Sequence, residues 1–121
     1  MTEGENSKRY DFEERALRFA LRVRAFLKTL RRTVANQEDG RQLIKASGSI
    51  GANYIEANEA LGKKDFVMRL RIARKEAKES RFFLRLLDTD GRDGPESDRK
   101  SLIKEAGELL LILSAMIRNS E

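Results

Sequence analysis

Two pairs of glutamates have the spacing that comes closest to a catalytic or metal-binding arrangement in this chain. Glu56 and Glu59 are three positions apart, and so are Glu76 and Glu79. Residues three apart share one face of a helix, so each pair would present its two carboxylates side by side. If the two helices were adjacent and antiparallel, these carboxylates could hold Mg²⁺, which prefers oxygen ligands.

The glutamate pattern is similar to the ExxE…ExxD motif of all-helical nucleotide pyrophosphohydrolases. Glu79, however, stands where that motif has aspartate, and most of the surrounding sequence does not match. Basic residues lie within helical reach, namely Lys63, Lys75, Lys78 and Arg81, and they favour salt-bridged or solvated glutamates. A magnesium-dependent pyrophosphohydrolase therefore stays only an alternative, and we predict no catalytic residue, no bound metal and no cofactor.

The composition removes other classes of enzyme. The chain has no His and no Cys, so it can form neither a Ser-His nor a Cys-His nucleophilic pair. The usual ligands of a structural zinc site are missing too. Gly48 and Gly51 follow no predicted strand, and they indicate close packing of helices rather than a phosphate-binding loop. We predict a protein that is not an enzyme.

The cationic residues are better organised than the acidic ones. On the third predicted helix they follow a 3-4-3-4 spacing that gives one continuous stripe, and three more share a face of the first helix. Like charges four apart destabilise a helix by a few tenths of a kcal/mol, roughly, so an unmixed stripe in a chain of net charge +5 indicates a polyanionic partner. The candidate nucleic-acid-binding residues are Arg15, Arg18, Arg22, Arg71, Arg74, Lys78, Arg81 and Arg85.

Two other interpretations of these cations stay open. They could keep a small protein soluble, or they could pair with the acids of another subunit in a structural or protein-adaptor module that binds no nucleic acid. Few aromatic residues interleave with the stripe, so stacking of single-stranded bases is not specially indicated. RNA and DNA are both possible partners, because contacts to phosphate do not read sequence.

Apolar spacing predicts the elements that carry these residues. Side chains recur at three- and four-residue intervals in four segments, as in the run Ala16, Phe19, Val23, Phe26, Leu30 and Val34. The predicted helices cover residues 11–34, 37–60, 64–87 and 96–118, with a turn at 36–40. Because the early connections are short, we expect an all-α, antiparallel, up-and-down four-helix bundle over residues 11–119, preceded by a disordered tail over residues 1–10.

Helices 3 and 4 carry more apolar surface than a monomer needs. Leu109–Leu113 is apolar on every side, and helix 3 has a second apolar side with Met68, Ile72, Phe82, Phe83 and Leu86. Exposed patches of this kind are normally covered, so we expect an oligomer. No apolar run is long enough to span a bilayer and no signal peptide is visible, so no membrane is expected and a cytoplasmic location is predicted.

Several segments resemble a known family. They are Asp11-Phe-Glu-Glu-Arg-Ala-Leu-Arg-Phe-Ala20, Ser47-Gly-Ser-Ile-Gly-Ala-Asn-Tyr-Ile-Glu-Ala57, Asp65-Phe and Arg74-Lys-Glu-Ala-Lys-Glu-Ser80, in that order. They are similar to bacterial four-helix-bundle proteins encoded in intervening sequences of large-subunit ribosomal RNA genes, also called the S23 family. The likeness covers residues 11–87, chiefly through the SIGAN-x-x-EA segment, whereas the rest matches only in being a final apolar helix.

This resemblance implies a four-helix protomer in a ring-like homopentamer without established enzymatic activity. It also implies kinship with the basic accessory protein of diversity-generating retroelements, which works with a reverse transcriptase and nucleic acid. The leading hypothesis is thus a non-enzymatic homo-oligomer that contacts RNA or DNA through its basic helix faces, with a reverse transcriptase as a possible partner by resemblance only.

The signature residues of the resemblance are interpreted as architectural. They are Ser49, Ile50, Gly51, Ala52, Asn53, Glu56 and Ala57. Gly51 and Ala52 would allow close approach of a helix, while Asn53 and Glu56 would satisfy polar groups between helices or subunits. We expect Glu56 to pair with a cation of helix 3, such as Lys75.

Overall fold

The protein, as a computed structural model, is described from residue 3 to residue 121, with side chains from Phe12 onwards. Four helices follow one another: α1 (Glu3–Leu27), α2 (Val34–Asn58), α3 (Lys63–Leu86) and α4 (Asp93–Ser120). α1 and α3 each pack against α2 and α4, and the diagonal pairs make no close backbone contact within this described part. Consecutive helices are therefore neighbours that reverse direction at short connections, which confirms the predicted all-α, up-and-down four-helix bundle.

Each helix contributes one apolar stripe to a shared core. α2 and α3 have the most extensive interface, where the buried small residues Ser47, Ala77 and Ser80 keep the helices close together. The hydroxyls of both serines donate to carbonyls of their own helices, so neither is left without a partner. The stripes comprise Ala16, Phe19, Val23 and Phe26 of α1; Leu43, Ile50, Tyr54 and Ala57 of α2; Leu70, Ala73, Ala77 and Leu84 of α3; and Leu102, Ala106, Leu109, Leu113 and Ile117 of α4. None of the four helices, over their described length, is both long and apolar enough to cross a membrane.

The boundary between the first two helices was predicted wrongly. α1 ends at Leu27 and α2 begins at Val34, whereas the sequence predicted one helix to residue 34 and a turn at 36–40. Thr33 sets the boundary, because its hydroxyl accepts the backbone N–H of Asn36 and caps α2. Gly40 lies inside α2, where a Cβ atom would come within 3.3 Å of Leu27. This glycine therefore lies in a close contact between α1 and α2 and does not make a turn.

The boundaries of the last two connections differ by smaller amounts, whereas α1 begins eight residues earlier than predicted. α2 ends at Asn58 and α3 covers Lys63–Leu86, within two residues of the prediction. α4 begins at Asp93, three residues early, because Pro95 is tolerated in a first helical turn, where its missing N–H has no intrahelical partner. The assigned helix α1 begins at Glu3, inside the predicted tail. The prediction of a disordered tail over residues 1–10 falls outside the side chains that are described and stays a prediction.

Asn36 joins the two connections at one end of the bundle. Its amide group, in a residue only 6% exposed, donates to the carbonyls of Arg31 and Asp88 at 3.0 Å each. Its carbonyl oxygen accepts the backbone N–H of Asp88 at 2.9 Å. An Arg31–Asp90 ion pair of 3.1 Å lies beside it. The α1–α2 and α3–α4 connections are therefore held together by one buried side chain.

Replacing Asn36 by Ala is expected to destabilise the protein by about 2–4 kcal/mol, because three backbone groups lose their partner in a poorly hydrated place. Urea unfolding followed by circular dichroism at fixed protein concentration measures this loss. Gln37→Ala, at an exposed position of the same helical turn, is the control and should stay within about 0.5 kcal/mol of the parent. Equal stability of Asn36→Ala and Gln37→Ala would show that the two connections do not depend on this side chain.

Candidate nucleic-acid interface

The cations of α1 lie on its side facing α4, where α4 supplies partners. The Arg15 guanidinium donates to both oxygens of Glu105, at 2.6 and 3.0 Å, and to Glu108 at 3.0 Å. Arg22 donates to the hydroxyl of Ser101 at 2.7 Å. Arg18 is exposed and has no ion pair among the described side chains. Two of the three candidate residues of α1 are therefore engaged within the bundle.

The Arg15–Glu105 ion pair changes the pKa of both groups. The hydrogen bond to Glu105 raises the pKa of Arg15 further above its usual value. Burial alone would raise the pKa of Glu105, but the hydrogen bonds and positive charge of Arg15 oppose it, and this pKa is lowered. Both groups are thus held in their charged forms at neutral pH, so Arg15 belongs to the α1–α4 contact.

The cations of α3 have few such partners. Arg71 pairs with Glu121 at 2.6 Å. The next four members of the stripe have neither an ion pair nor a side-chain hydrogen bond to any described residue, and two of them are half-buried nonetheless. The half-buried pair is Arg74 and Arg81, and the exposed pair is Lys78 and Arg85. The chain therefore leaves most of this stripe uncompensated.

The stripe runs along the side of α3 that faces α4. Its first member reaches the end of α4 through Glu121, and the Nη1 atom of Arg81 would lie 3.8 Å from a Cβ atom at Gly107. Between Lys100 and Ser114 the only acids of α4 are Glu105 and Glu108, and both turn to Arg15 of α1. The middle of α4 consequently offers α3 no carboxylate. We name this surface the α3–α4 face; it comprises Arg71, Arg74, Lys78, Arg81 and Arg85 with Gly107.

Residues that share the face of Gly107 on α4 add further positive charge. Positions three, four and seven away from a helical residue lie on its side of the helix. Lys100 and Lys104 occupy two of these positions and are exposed, whereas Ile103, Leu110, Leu111 and Ser114 occupy the others. The α3–α4 face is therefore bordered by cations and uncharged side chains.

The four glutamates of the possible magnesium site are not brought together. Asn53 accepts a hydrogen bond from Arg69 at 3.4 Å, which places these residues at the same level of α2 and α3. Glu56 lies about 4.5 Å from that level towards the α2–α3 connection and Glu76 about 10.5 Å the opposite way, at 1.5 Å per residue. Among the described residues no three acidic side chains form a group that could hold a metal ion.

Glu76 instead interacts with Glu79 and with Lys75. The Glu76 side chain is 16% exposed and lies 3.9 Å from Lys75. Burial raises the pKa of Glu76, and the neighbouring Glu79 raises it further, against the opposing effect of Lys75. The expected Glu56–Lys75 pair is absent for the same reason of spacing: the two residues lie on opposite sides of the Asn53–Arg69 level.

The signature residues have different surroundings. Ile50 and Ala57 belong to the core. Gly51 lies against α1, where a Cβ atom would come within 3.3 Å of Ala16. Asn53 donates to the carbonyl of Ser49 at 2.9 Å as well as accepting from Arg69. Ala52 and Glu56 are exposed, and Glu56 forms no ion pair or side-chain hydrogen bond with the described residues.

Sequence reasoning missed an apolar groove between α1 and α2. Leu17 and Leu21 of α1 are 51% and 56% exposed, and Ile44 and Ile55 of α2 line the other side. Gly48 lies in its floor, and cavities of about 470 and 370 Å³ follow one another along it. The signal was present in the i, i+4 spacing of Leu17 and Leu21 beside the core stripe. We name this surface the α1–α2 groove.

The predicted second apolar side of α3 is also outside the core. Met68, Phe82 and Leu86 are each about half exposed, and Phe82 packs edge-on against Phe83 with ring centroids 5.6 Å apart. Leu111, within the run that is apolar on every side, is 68% exposed. The isolated protomer therefore exposes apolar side chains on α3 and α4 as well as in the α1–α2 groove.

A comparison with solved structures finds the same architecture in a protein of unknown function from the S23 ribosomal protein family of Bacteroides thetaiotaomicron. The two chains are 28% identical and superpose with a TM-score of 0.74, over 88% of this chain and 97% of the other. No curated protein matches the sequence significantly.

A family model gives the broader assignment. The model described as 23S rRNA-intervening sequence protein matches residues 8–115, which include α2 and α3 entirely, most of α1 and α4, and the whole α3–α4 face. The match extends past the segments that carry the signature and reaches into α4. This chain belongs to the 23S rRNA-intervening sequence protein family.

Proposed function

We propose that this protein is a non-enzymatic homo-oligomer that binds RNA or DNA through the α3–α4 face. The observation that carries the proposal is the state of four cations there: Arg74, Lys78, Arg81 and Arg85 have no acidic partner within the described chain. Like charges at this spacing repel one another, and half-burial of Arg74 and Arg81 adds a desolvation penalty. A polyanion would offset both costs.

The dimensions of the face suit a nucleic-acid backbone. From Arg71 to Arg85 the stripe is about 21 Å long at 1.5 Å per residue, with one cation roughly every turn. That length corresponds to about six base pairs at 3.4 Å each along one strand. Such contacts hold the phosphates without reading the bases, so binding is strong in low salt and independent of sequence.

The α1 cations have a smaller part in this proposal. Arg15 is committed to Glu105 and Glu108, and Arg22 to Ser101, so both contribute to the α1–α4 contact. Arg18 is available but stands alone on α1. The binding surface is consequently assigned to α3 and α4, with Arg18 outside its centre.

The family name is consistent with nucleic-acid binding, but the proposal does not depend on it. The family is described by 23S rRNA, and the Bacteroides protein by a ribosomal protein family. A reverse transcriptase remains a possible partner only through the resemblance to the retroelement accessory protein. A cytoplasmic location likewise stays a prediction from the sequence.

The variant Arg74→Glu with Arg81→Glu is expected to weaken binding to a generic RNA at 50 mM salt by at least about tenfold, since each lost phosphate contact removes counterion release. Fluorescence anisotropy with a labelled RNA measures the affinity. The matched control is Lys28→Glu with Lys45→Glu, which makes the same change of net charge at exposed positions that line neither cavity of the α1–α2 groove.

The control variant should bind nearly as well as the parent. Equal losses in the two variants would attribute binding to net charge alone and contradict the assignment to the α3–α4 face. Absence of RNA and DNA binding by the parent at 50 mM salt would contradict the proposed function itself.

Assembly is supported by the positions of the apolar surfaces. The α1–α2 groove is concave, and Met68, Phe82 and Leu86 expose apolar side chains on a different side of the protomer, on α3. Two different apolar surfaces on one protomer favour head-to-tail contact between copies, which closes into a ring when the rotation permits. Five subunits are suggested only by the family resemblance. This observation also supports the second candidate, an assembly or adaptor module that binds no nucleic acid.

Leu21→Glu is expected to reduce the oligomer to 13.9 kDa protomers, because it places a charge in the α1–α2 groove. Sedimentation equilibrium measures the mass. Leu61→Glu is the control, since Leu61 is fully exposed in the α2–α3 connection, outside the groove and the apolar side of α3. An unchanged mass for Leu21→Glu would exclude the groove as the interface, and a monomeric parent would refute assembly.

A further inference from the structure

Four glycines lie in the interiors of α2 and α4, and two of them are not explained by packing within the chain. A glycine inside a helix destabilises it by about 1 kcal/mol relative to alanine, so its presence requires a reason. At Gly40 and Gly51 the reason is close contact, since an added Cβ would come within 3.3 Å of Leu27 or Ala16. At Gly48 and Gly107 an added Cβ would meet only the tip of an arginine, at 3.9 and 3.8 Å.

Gly107 lies in the middle of the α3–α4 face. The arginine beside it is Arg81, which is half-buried and has no acid or carbonyl acceptor in the described chain. Lys78 and Arg85, three and four positions from Arg81, lie on the same side of α3. At Gly107 no side chain covers the backbone of α4. This stretch of backbone thus lies beside the most closely spaced cations of the face, and those cations have no compensating negative charge.

We propose that Gly107 is a seat for one phosphate group of the bound nucleic acid, held by the guanidinium of Arg81 with Lys78 and Arg85 on either side. The seat rests on the proposed function and names its closest contact. With no side chain at Gly107, a phosphodiester reaches the level at which the half-buried Arg81 donates to it, and that guanidinium can offer two parallel N–H groups to phosphate oxygens. Any larger side chain at position 107 would keep the phosphodiester backbone of the nucleic acid away from Arg81.

Binding of a phosphate in this seat has a steric requirement that attraction by the charged stripe does not have. Charge attraction alone needs only the cations and tolerates any neutral residue at position 107. A seat needs the space above α4, so a neutral, bulky side chain there would weaken binding although every cation is retained. Steric and electrostatic contributions can therefore be separated by substitution.

The test uses Gly107→Leu in the full-length protein, with affinity for a generic RNA measured by fluorescence anisotropy at 50 mM salt. We expect affinity to fall at least about tenfold, as for loss of one well-formed phosphate contact. The urea midpoint should be equal to or higher than that of the parent, because leucine favours the helix more than glycine does. Gly94→Leu in the first turn of α4, where an added Cβ meets nothing within 4 Å, is the matched control and should bind as the parent.

Gly107→Ala provides a second variant should leucine disturb the bundle. Its Cβ fits at ordinary contact distance from Arg81, so the fold is retained, and we expect a smaller loss of affinity in the same direction. If the parent binds RNA and both Gly107 variants bind equally well, the seat is refuted and the proposed function stands. If the parent binds neither RNA nor DNA, the proposed function fails, and the seat with it.

Discussion

The arrangement of charge on α4 determines which cations of this bundle are available. Between Lys100 and Ser114 the helix has only two acids, and both Glu105 and Glu108 point to Arg15 on α1. One side of α4 therefore neutralises Arg15 of α1, while the other side lies against α3 with Gly107 and no carboxylate. Arg15 is engaged by two acids, whereas Arg81 beside Gly107 has no acidic partner among the described residues, so two similar stripes differ in how far their charge is compensated.

The bundle could be predicted from apolar periodicity, since each buried stripe repeats at helical spacing over its whole length. Boundaries were harder, because they depend on single contacts. Val34 fits the stripe of the first helix but is 78% exposed, since Thr33 begins a new helix just before it. Gly40 has the composition of a turn, yet it lies within α2 because Leu27 packs there. The Thr33 cap is local and its residue type was visible in the sequence, whereas the contact of Gly40 with Leu27 can be recognised only when α1 and α2 are placed side by side.

The candidate site shows the same limit more clearly. Spacing along one helix revealed the stripe from Arg71 to Arg85, but it could not distinguish these residues from Arg15 and Arg22. The difference lies in partners on α4, which are about ninety positions away for Arg15. The possible magnesium site shows the same limit. Each glutamate pair has a spacing of three residues along its helix, but Glu56 and Glu76 lie at different levels of the bundle. The α1–α2 groove went unnoticed because each helix supplies only half of it.

The dependence of nucleic-acid affinity on salt tests the central claim most directly, namely that the four free cations of α3 are the binding group. For a ten-base-pair DNA duplex, log K plotted against log salt should have a slope of about −3.6 per bound protomer, which is 0.9 for each of four phosphate contacts. A slope near zero would contradict electrostatic binding altogether. A slope near −7, about twice as steep, would mean that cations beyond these four also contact phosphates, and would contradict the claim that the four form the binding group.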